Sequence, residues 1–353
     1  MSRPPSEIAF LTRALNDPDP SGRSQLVAEY ESVLARTFNA PSAVALNSGS
    51  AALEASATAL GARPGTSIVV SAAAPLPTLM PLIATGADLV FVDCLPDSPG
   101  MDPDDLDRQL AGRSDIPAAV EVALWGYPLP QQSKVLDVLE ARGIPLIEDA
   151  SHAHGARVDG RNVGTLGTVG CFSTHRMKLL STGEGGFALT ADPALAEKIR
   201  HYARIANLDG VSLGRNFKPS AFTAAIGLAR LGSLHAVVDA RRQRAQELLS
   251  LVPAGLSRQI NFVGEPNYYN VVVLVDDLRR TERLHAALND AGITTDPVRF
   301  RYKPGTDHPI TQKWARQCAN ARHLATAAVQ LPVDPGRNAG ETADLVACAW
   351  ERS

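Results

Sequence analysis

Short apolar, β-branched runs alternate with longer amphipathic runs along most of this chain, and this alternation constrains the fold more than any other feature. Runs of strand length at 43–46, 67–70 and 88–93 each end at a breaker, and the first two lead into a helical pattern. A strand, a turn and a helix repeated in this order form βαβ units, whose strands lie parallel in one sheet. The sequence therefore predicts an α/β domain.

The same pattern continues to about residue 250 and then changes. Further strands are predicted at 118–125, 145–147, 169–173 and 186–190, followed by one long helical region at about 219–249. We expect Arg241, Arg242 and Arg244 on the exposed side of that region.

A smaller α+β unit follows the segment 252–255. Its predicted elements are a strand at 269–275, a helix at 281–291, a second strand near Arg299 and a C-terminal helix. We therefore predict an N-terminal arm at 1–20, a large domain at 21–245 and a small C-terminal domain at 246–353.

Composition limits the classes of function. The 353 residues are 45% apolar, enough for a large core, and the net charge of -3 without any block of like charges argues against a nucleic-acid or membrane-surface partner. Four scattered cysteines without C-x-x-C spacing predict neither a metal site nor disulfides, which fits a reducing cytosol. The N-terminus lacks an apolar signal and no run approaches a membrane span, so a cytoplasmic location and small-molecule partners are expected.

The segment 172–186 places a single lysine, Lys178, between a short strand and a glycine-rich turn. An amine attacks a carbonyl only when it is unprotonated, and a partly desolvated lysine near a cationic group has its pKa lowered from about 10.4 toward neutrality. Lys178 is thus a candidate Schiff-base lysine, with a solvated turn lysine as the alternative. The chain has only six lysines, so few residues compete for this role.

Three other segments, and a second residue of the segment 172–186, carry candidate ligands. Ser48, Gly49 and Ser50 lie at a strand-to-helix turn, where free N–H groups bind anions, although Ser48 could simply cap the helix. Asp149 ends a predicted strand, where α/β sheets bind ligands, with helix capping again the alternative. The hydroxyl of Ser173 precedes Lys178 by five residues, and the polar turn 215–220 precedes a helix that Ser220 could cap.

Taken together, these motifs resemble the DegT/DnrJ/EryC1/StrS family of pyridoxal-phosphate aminotransferases. The resemblance rests on S-G-S-A-A-L at 48–53, E-D-A-S-H-A-H-G at 148–155, the segment 172–186 and N-F-K-P-S at 216–220, with weaker Y-K-P and L-P matches at 302–304 and 331–332. It extends from about residue 25 to the end. It implies fold type I, with a mostly parallel seven-stranded sheet in the large domain and a smaller C-terminal α+β domain.

By this resemblance, each candidate residue takes a role around pyridoxal 5'-phosphate. Lys178 holds the cofactor covalently and moves protons, and Asp149 pairs with its ring nitrogen. His152 lies beside its ring hydroxyl. Gly49, Ser50 and Ser173 hold the phosphate, and Asn216 reaches the phosphate of the neighbouring subunit, which implies a homodimer with shared sites. No metal is expected.

Two features depart from the family pattern. The segment 71–77, where the family usually has an aromatic residue that stacks on the cofactor ring, contains no aromatic residue, so stacking is lost or supplied from elsewhere. Lys218 replaces the family arginine, which keeps the charge but loses the planar fork.

The expected activity is transfer of an amino group from glutamate or glutamine to a keto or aldehyde group of a sugar, cyclitol or related specialised metabolite, in antibiotic or polysaccharide biosynthesis. A lyase, dehydratase or carbon–carbon bond-forming enzyme with the same cofactor is the first alternative, because the altered segment 71–77 changes one face of the site. A non-catalytic regulatory protein on the same fold is the second.

Overall fold

The central sheet is the frame on which the other elements lie. The computed structural model describes residues 5–299, 301–333, 336 and 338–353. Its strands are β1 (Ser42–Leu46), β2 (Ser67–Ser71), β3 (Asp88–Val92), β4 (Cys94–Leu95), β5 (Ser98–Met101), β6 (Ala118–Val122), β7 (Leu146–Asp149), β8 (Arg157–Val158), β9 (Arg161–Asn162), β10 (Val169–Ser173), β11 (Gly186–Thr190), β12 (Val271–Leu274) and β13 (Ala328–Leu331).

Seven of these strands form the central sheet in the order β1-β11-β10-β7-β6-β2-β3. Strand β11 runs antiparallel to both of its neighbours, and the pairs on the other side of β10 are parallel. The predicted mostly parallel seven-stranded sheet is therefore confirmed.

Helices cover both faces of this sheet. The α-helices of the described residues, including those of the C-terminal part, are α1 (Pro5–Leu15), α2 (Gln25–Phe38), α3 (Gly49–Ala59), α4 (Leu76–Ala84), α5 (Pro103–Leu110), α6 (Gln132–Glu140), α7 (Pro193–Ala203), α8 (Ala221–Leu231), α9 (Leu234–Leu251), α10 (Leu278–Asp290), α11 (Asp296–Arg299), α12 (Ala319–Ala327) and α13 (Ala339–Arg352). Successive side chains of β2 lie on opposite faces of the sheet. Ile68 and Val70 belong to the same apolar cluster as residues of α3, whereas Val69 belongs to the cluster with α5 and α6. Burial on both faces explains why these strands read as continuous apolar runs.

The C-terminal part differs from the prediction in one strand. Residues 296–299 form the short helix α11, so the strand predicted near Arg299 is wrong. The strand that pairs with β12, in antiparallel register, is β13 at 328–331. Its sequence, Ala-Val-Gln-Leu, follows α12 directly, which is why the pattern reads as the end of a helix.

The long helical region predicted at 219–249 is two helices. It breaks at Gly232 and Ser233, and α8 and α9 are bent by 58° there. Arg241 and Arg242 are not on an exposed side as expected: both are half-buried, because they donate hydrogen bonds to backbone carbonyls of residues 265–269. The predicted division into 1–20, 21–245 and 246–353 stays a prediction; α9 runs through position 245 without a break.

Within the described residues, no single helix is long and apolar enough to cross a membrane, although α8 and the following α9 pass that test as a bent pair. The same residues contain no group of three metal-ligating side chains.

Two glutamates lie side by side on neighbouring strands of the central sheet. Glu121 of β6 and Glu148 of β7 are register partners, and both are buried. The Glu148 carboxylate accepts hydrogen bonds from Gln132 and from the amides of Gly164, Leu166 and Gly167. Glu121 accepts one, from Met101 N at 2.9 Å, and burial, with a smaller contribution from Glu148, raises the pKa of Glu121 to about 8.

We expect Glu121→Gln to flatten the dependence of stability on pH. Between about 4.5 and 8 the unfolded chain releases a proton that folded Glu121 keeps, so the free energy of unfolding falls as pH rises through this window. Glutamine keeps the acceptor for Met101 without the charge. Urea unfolding measures the free energy of unfolding at pH 5 and at pH 8. Between these two pH values wild type should lose on the order of 3 kcal/mol more of this free energy than the variant.

Glu148→Gln is the matched control, because it leaves hydrogen-bonded amides with a weaker acceptor and should destabilise at both pH values. Parallel pH profiles for wild type and Glu121→Gln would contradict a protonated Glu121.

Candidate active site

The turn between β10 and β11 holds Lys178 in place. Thr174 donates its amide to Gly185 O and accepts from Thr182 N, both at 2.8 Å, and the two threonine hydroxyls lie 2.6 Å apart. Gly185 has φ of 152°, and a Cβ there would lie 2.4 Å from Thr174 Oγ1. The turn therefore requires glycine at this position, which gives a physical reason for the glycine-rich sequence.

Lys178 is half-buried, with its amine beside an aromatic ring. Its Nζ lies 5.2 Å from the ring centre of Tyr269. Burial lowers the pKa of Lys178 to about 8, while Asp149 and Asp296 act in the opposite direction. An amine with this pKa is partly unprotonated near neutrality, as a nucleophile must be.

Asp149 ends β7 and is buried. It does not cap a helix: its Oδ1 accepts from Ser151 N at 3.1 Å, and its Oδ2 accepts from Thr78 Oγ1 at 2.6 Å. The carboxylate is thus held from both oxygens and lies close enough to Lys178 to affect the pKa of that amine.

His152 is fixed in one tautomer. Its Nδ1 accepts a hydrogen bond from Trp125 N at 3.2 Å, so in the neutral ring the proton is on Nε2. Burial first, and then Lys178 and His154, lowers the pKa of His152 well below its usual range. A neutral imidazole that donates from Nε2 is the result, and it stacks on Tyr269 with ring centres 4.1 Å apart.

Residues 265–270, called the junction loop below, hold the backbone of this histidine by a hydrogen bond. Asn267 is fully buried and donates to the carbonyls of His152 and His154 at 2.7 and 2.9 Å, while its Oδ1 accepts from Tyr269 N. Gly126 has φ of 85°, and a Cβ there would lie 1.9 Å from Asn267 Oδ1. The loop and the turn at Gly126 therefore fit together only with glycine at that position.

The Ser-Gly-Ser turn and the lysine segment meet closely. A Cβ on Gly49 would lie 2.7 Å from Ser173 Cβ, and one on Gly186 would lie 2.4 Å from the carbonyl carbon of Ser48. Ser48 is the N-cap of α3, as its alternative role predicted, because it accepts from Ala51 N. Gly49 and exposed Ser50 begin the helix, whose first N–H groups have no helical partners. This makes a cradle suited to an anion.

Asn216 lies at the surface beside this cradle. Asn47 donates its backbone N–H to Phe217 O at 2.8 Å and its side chain to Asn216 O at 3.4 Å. The exposed Asn216 side chain accepts from Lys218 Nζ at 2.5 Å. Ser220 caps α8 by accepting from Thr223 N, as its alternative role predicted.

The segment 71–77, which lacks an aromatic residue, is covered from the C-terminal part. Tyr302 donates its hydroxyl to Ala73 O at 2.9 Å, and Gly305 donates its amide to Ala72 O at 2.7 Å. The Tyr302 ring meets Trp125 edge to face, with centres 5.8 Å apart. Trp125 in turn donates from Nε1 to Asp296 at 2.7 Å.

The structure thus brings five of the predicted residues into two adjoining groups, Lys178 with Asp149 and His152, and Gly49 with Ser173. Sequence reasoning missed the residues that support them: Thr78, Trp125, Asn267, Tyr269 and Tyr302. Their partners lie far away in the chain, so no local pattern marks them. Only Tyr302 carried a signal, through the Y-K-P motif.

These groups fit pyridoxal 5'-phosphate. A half-buried amine with a lowered pKa, a buried carboxylate held by two donors, a neutral imidazole N–H and a cradle too tight for a Cβ match its aldehyde, ring nitrogen, ring hydroxyl and phosphate respectively. Together with a mostly parallel seven-stranded sheet, they define the class of fold type I pyridoxal-phosphate enzymes.

Comparison with known proteins identifies the family. The DegT/DnrJ/EryC1/StrS aminotransferase family matches residues 7–349, and the chain belongs to it. The chain is 30% identical to L-glutamine:scyllo-inosose aminotransferase of Streptomyces griseus, over 90% of this chain and 78% of that protein. It is 25% identical to GDP-perosamine synthase of Escherichia coli O157:H7, over 93% and 90% of the two chains.

Among solved structures, the PLP form of the putative sugar aminotransferase Spr1654 from Streptococcus pneumoniae superimposes with a TM-score of 0.89 at 20% identity, over 99% of this chain and 97% of that one. The protein is therefore a pyridoxal-phosphate-dependent aminotransferase.

We expect covalent capture of pyridoxal phosphate by the apoenzyme to depend on the free amine of Lys178. Because its pKa is about 8, the rate should rise about tenfold per pH unit below that value and level off above it. Stopped-flow absorbance measures the rate, and borohydride reduction followed by peptide mapping locates the adduct.

The Lys178→Ala variant should give no adduct, and the control Lys134→Ala, at an exposed position on α6, should behave as wild type. An adduct on any of the other five lysines would remove Lys178 from this role.

Proposed function

We propose that this enzyme transfers an amino group from glutamate or glutamine to a keto or aldehyde group of a sugar, cyclitol or related specialised metabolite, in antibiotic or polysaccharide biosynthesis. The observation that carries the proposal is the half-buried amine of Lys178, with its pKa lowered to about 8, near the carboxylate of Asp149, which accepts a hydrogen bond on each oxygen. The names of the relatives, a scyllo-inosose aminotransferase and a perosamine synthase, support the choice of polyhydroxylated acceptors.

The chain's residues divide the work of the reaction. When bound, the cofactor withdraws electrons from the bond that loses its proton at the donor's α-carbon. With the cofactor bound, Lys178 would be the base that moves this proton between the donor's α-carbon and the C4′ carbon, and in the second half-reaction it would work in reverse. Asp149 would keep the ring nitrogen protonated, and His152 would donate from Nε2 to the ring oxygen.

The cradle at Gly49, Ser50 and Ser173 orients the group through its phosphate. Close contact between this turn and β11 fixes the position of the first N–H groups of α3 relative to Ser173.

The proposal is tested with the two half-reactions. Glutamine and glutamate are offered separately to the holoenzyme, and loss of visible absorbance with formation of one keto acid per site is expected for the true donor. Keto-inositols and nucleotide-linked keto sugars are then offered to the aminated enzyme. Release of ammonia instead of an aminated product would favour the alternative of a lyase or dehydratase.

We expect Asp149→Asn to retain cofactor but lose activity. A neutral amide does not stabilise a protonated ring nitrogen, so the donor half-reaction should slow on the order of a thousandfold or more. Single-turnover absorbance measures this rate. A variant within about tenfold of wild type would show that Asp149 does not act on the cofactor.

We propose further that the active unit is a homodimer in which Asn216 binds the phosphate in the partner subunit. Asn216 is exposed, and next to it lies an apolar surface formed by a loop whose large side chains are exposed: Ile205, Leu208, Val211 and Leu213. Residues 205–208 all have positive φ, a strained conformation that persists where surrounding structure holds it. Association with a second copy would supply that support.

A cytoplasmic location is part of the same proposal. It is supported by the four cysteines, none of which forms a disulfide bond in the structure. Free cysteines are typical of a reducing compartment.

We expect Asn216→Ala to weaken cofactor retention in the dimer. Losing one hydrogen bond to a charged group should raise the cofactor dissociation constant about tenfold or more, and linkage then loosens the dimer when cofactor is dilute. Equilibrium dialysis and sedimentation measure the two effects. Asn289→Ala, at an exposed position on α10, is the control, and a fully active monomer would rule out the shared site.

A further inference from the structure

The hydroxyl of Thr78 makes a contact that the reaction scheme above does not use. Thr78 lies in the first turn of α4 and is 1% exposed. A threonine in a helix commonly donates its hydroxyl to a carbonyl of the preceding turn. Here the hydroxyl lies 2.6 Å from Asp149 Oδ2, on a residue 71 positions away in the chain.

The direction of this hydrogen bond follows from its chemistry. An ionised carboxylate only accepts, so Thr78 is the donor, and a hydrogen bond to a charged group is stronger than one between neutral groups. The other oxygen, Oδ1, accepts from Ser151 N. One donor on each oxygen fixes the rotation of the carboxyl group, whose χ2 torsion is otherwise broad.

The position of Thr78 also links two parts of the site. It follows directly on the segment 71–77, where Tyr302 and Gly305 bind the carbonyls of Ala73 and Ala72. The C-terminal part thereby holds the segment before α4 by hydrogen bonds, and Asp149 holds the first turn of α4. The side chain of Thr78 makes this contact with the carboxylate.

We propose that Thr78 is a positioning residue for Asp149: its hydroxyl orients the carboxylate toward the cofactor's ring nitrogen. This inference rests on the proposed role of Asp149 in transamination. Thr78 lies outside the motifs named in the sequence analysis, and this role explains why a polar side chain occupies a fully buried position at the start of a helix otherwise rich in apolar residues.

The test compares three holoenzyme variants. Thr78→Val removes the hydroxyl at nearly constant shape, Thr78→Ser keeps a hydroxyl, and Thr85→Val removes a hydroxyl at the other end of α4, where it binds Leu82 O instead. Each is measured for the rate of the donor half-reaction, the donor KM, the cofactor dissociation constant and the thermal midpoint.

We expect Thr78→Val to lower the half-reaction rate about 10- to 100-fold and to weaken cofactor binding several-fold, with little change in donor KM. Thr78→Ser should recover most of both losses. Thr85→Val should change only the thermal midpoint. Unchanged rate and cofactor affinity in Thr78→Val, or equal losses in the valine and serine variants, would overturn the proposal.

A double variant separates this inference from the proposed function. If Thr78 acts through Asp149, adding Thr78→Val to Asp149→Asn should cause little further loss of rate. Independent, multiplying losses would contradict the inference alone. Full activity of Asp149→Asn by itself would instead contradict the role of Asp149, and the positioning role with it.

Discussion

The close approach of two backbone segments, Gly186 at the start of β11 and the turn at Ser48 and Gly49, is the constraint on which the site depends. β11 lies between β1 and β10 and runs against both, so its first residue comes beside the end of β1. The distances there leave no room for a Cβ on Gly49 or Gly186. This contact joins the anion cradle to the turn that carries Lys178, and a side chain at either glycine would separate the two.

Charge in the site is controlled mainly by removing water. Burial moves Lys178 and His152 in the same direction, toward their neutral forms, because a charged group loses hydration there. The two then differ in their neighbours. Asp149 and Asp296 support the charge on Lys178, so its pKa stays near 8, whereas Lys178 itself opposes a charge on His152. One environment thus produces an amine that titrates near neutral pH and an imidazole whose pKa is lowered well below its usual range.

Much of this arrangement could be predicted from the sequence, because it depends on local patterns. The strands at 169–173 and 186–190 occur at the predicted residues, and the motif residues around Lys178 and Asp149 converge as expected. The strand predicted near Arg299 was wrong, and the strand at 328–331 was missed, because four residues directly after a helix are too few to show a period of their own.

Hydrogen bonds between residues that are far apart in the chain could not be predicted from the sequence. Nothing in the sequence near Thr78, Trp125 or Asn267 indicates that they contact Asp149 or His152, which lie in other parts of the chain. Arg241 and Arg242 were predicted to be exposed for a similar reason: charge predicts exposure, but backbone carbonyls of the junction loop accept hydrogen bonds from their guanidinium groups. The two-domain division remains a prediction.

The manner in which α9 holds the junction loop has a consequence for how this enzyme can diversify. Arg241 and Arg242 bind carbonyl oxygens of residues 265, 266, 268 and 269, which every amino acid possesses. These hydrogen bonds hold the path of the loop without using the side chain of Tyr269, whereas Asn267 and Glu265 contribute through their own side chains. The side chain at position 269, which lies beside Lys178 and stacks on His152, can therefore change while the backbone anchor of the loop stays in place.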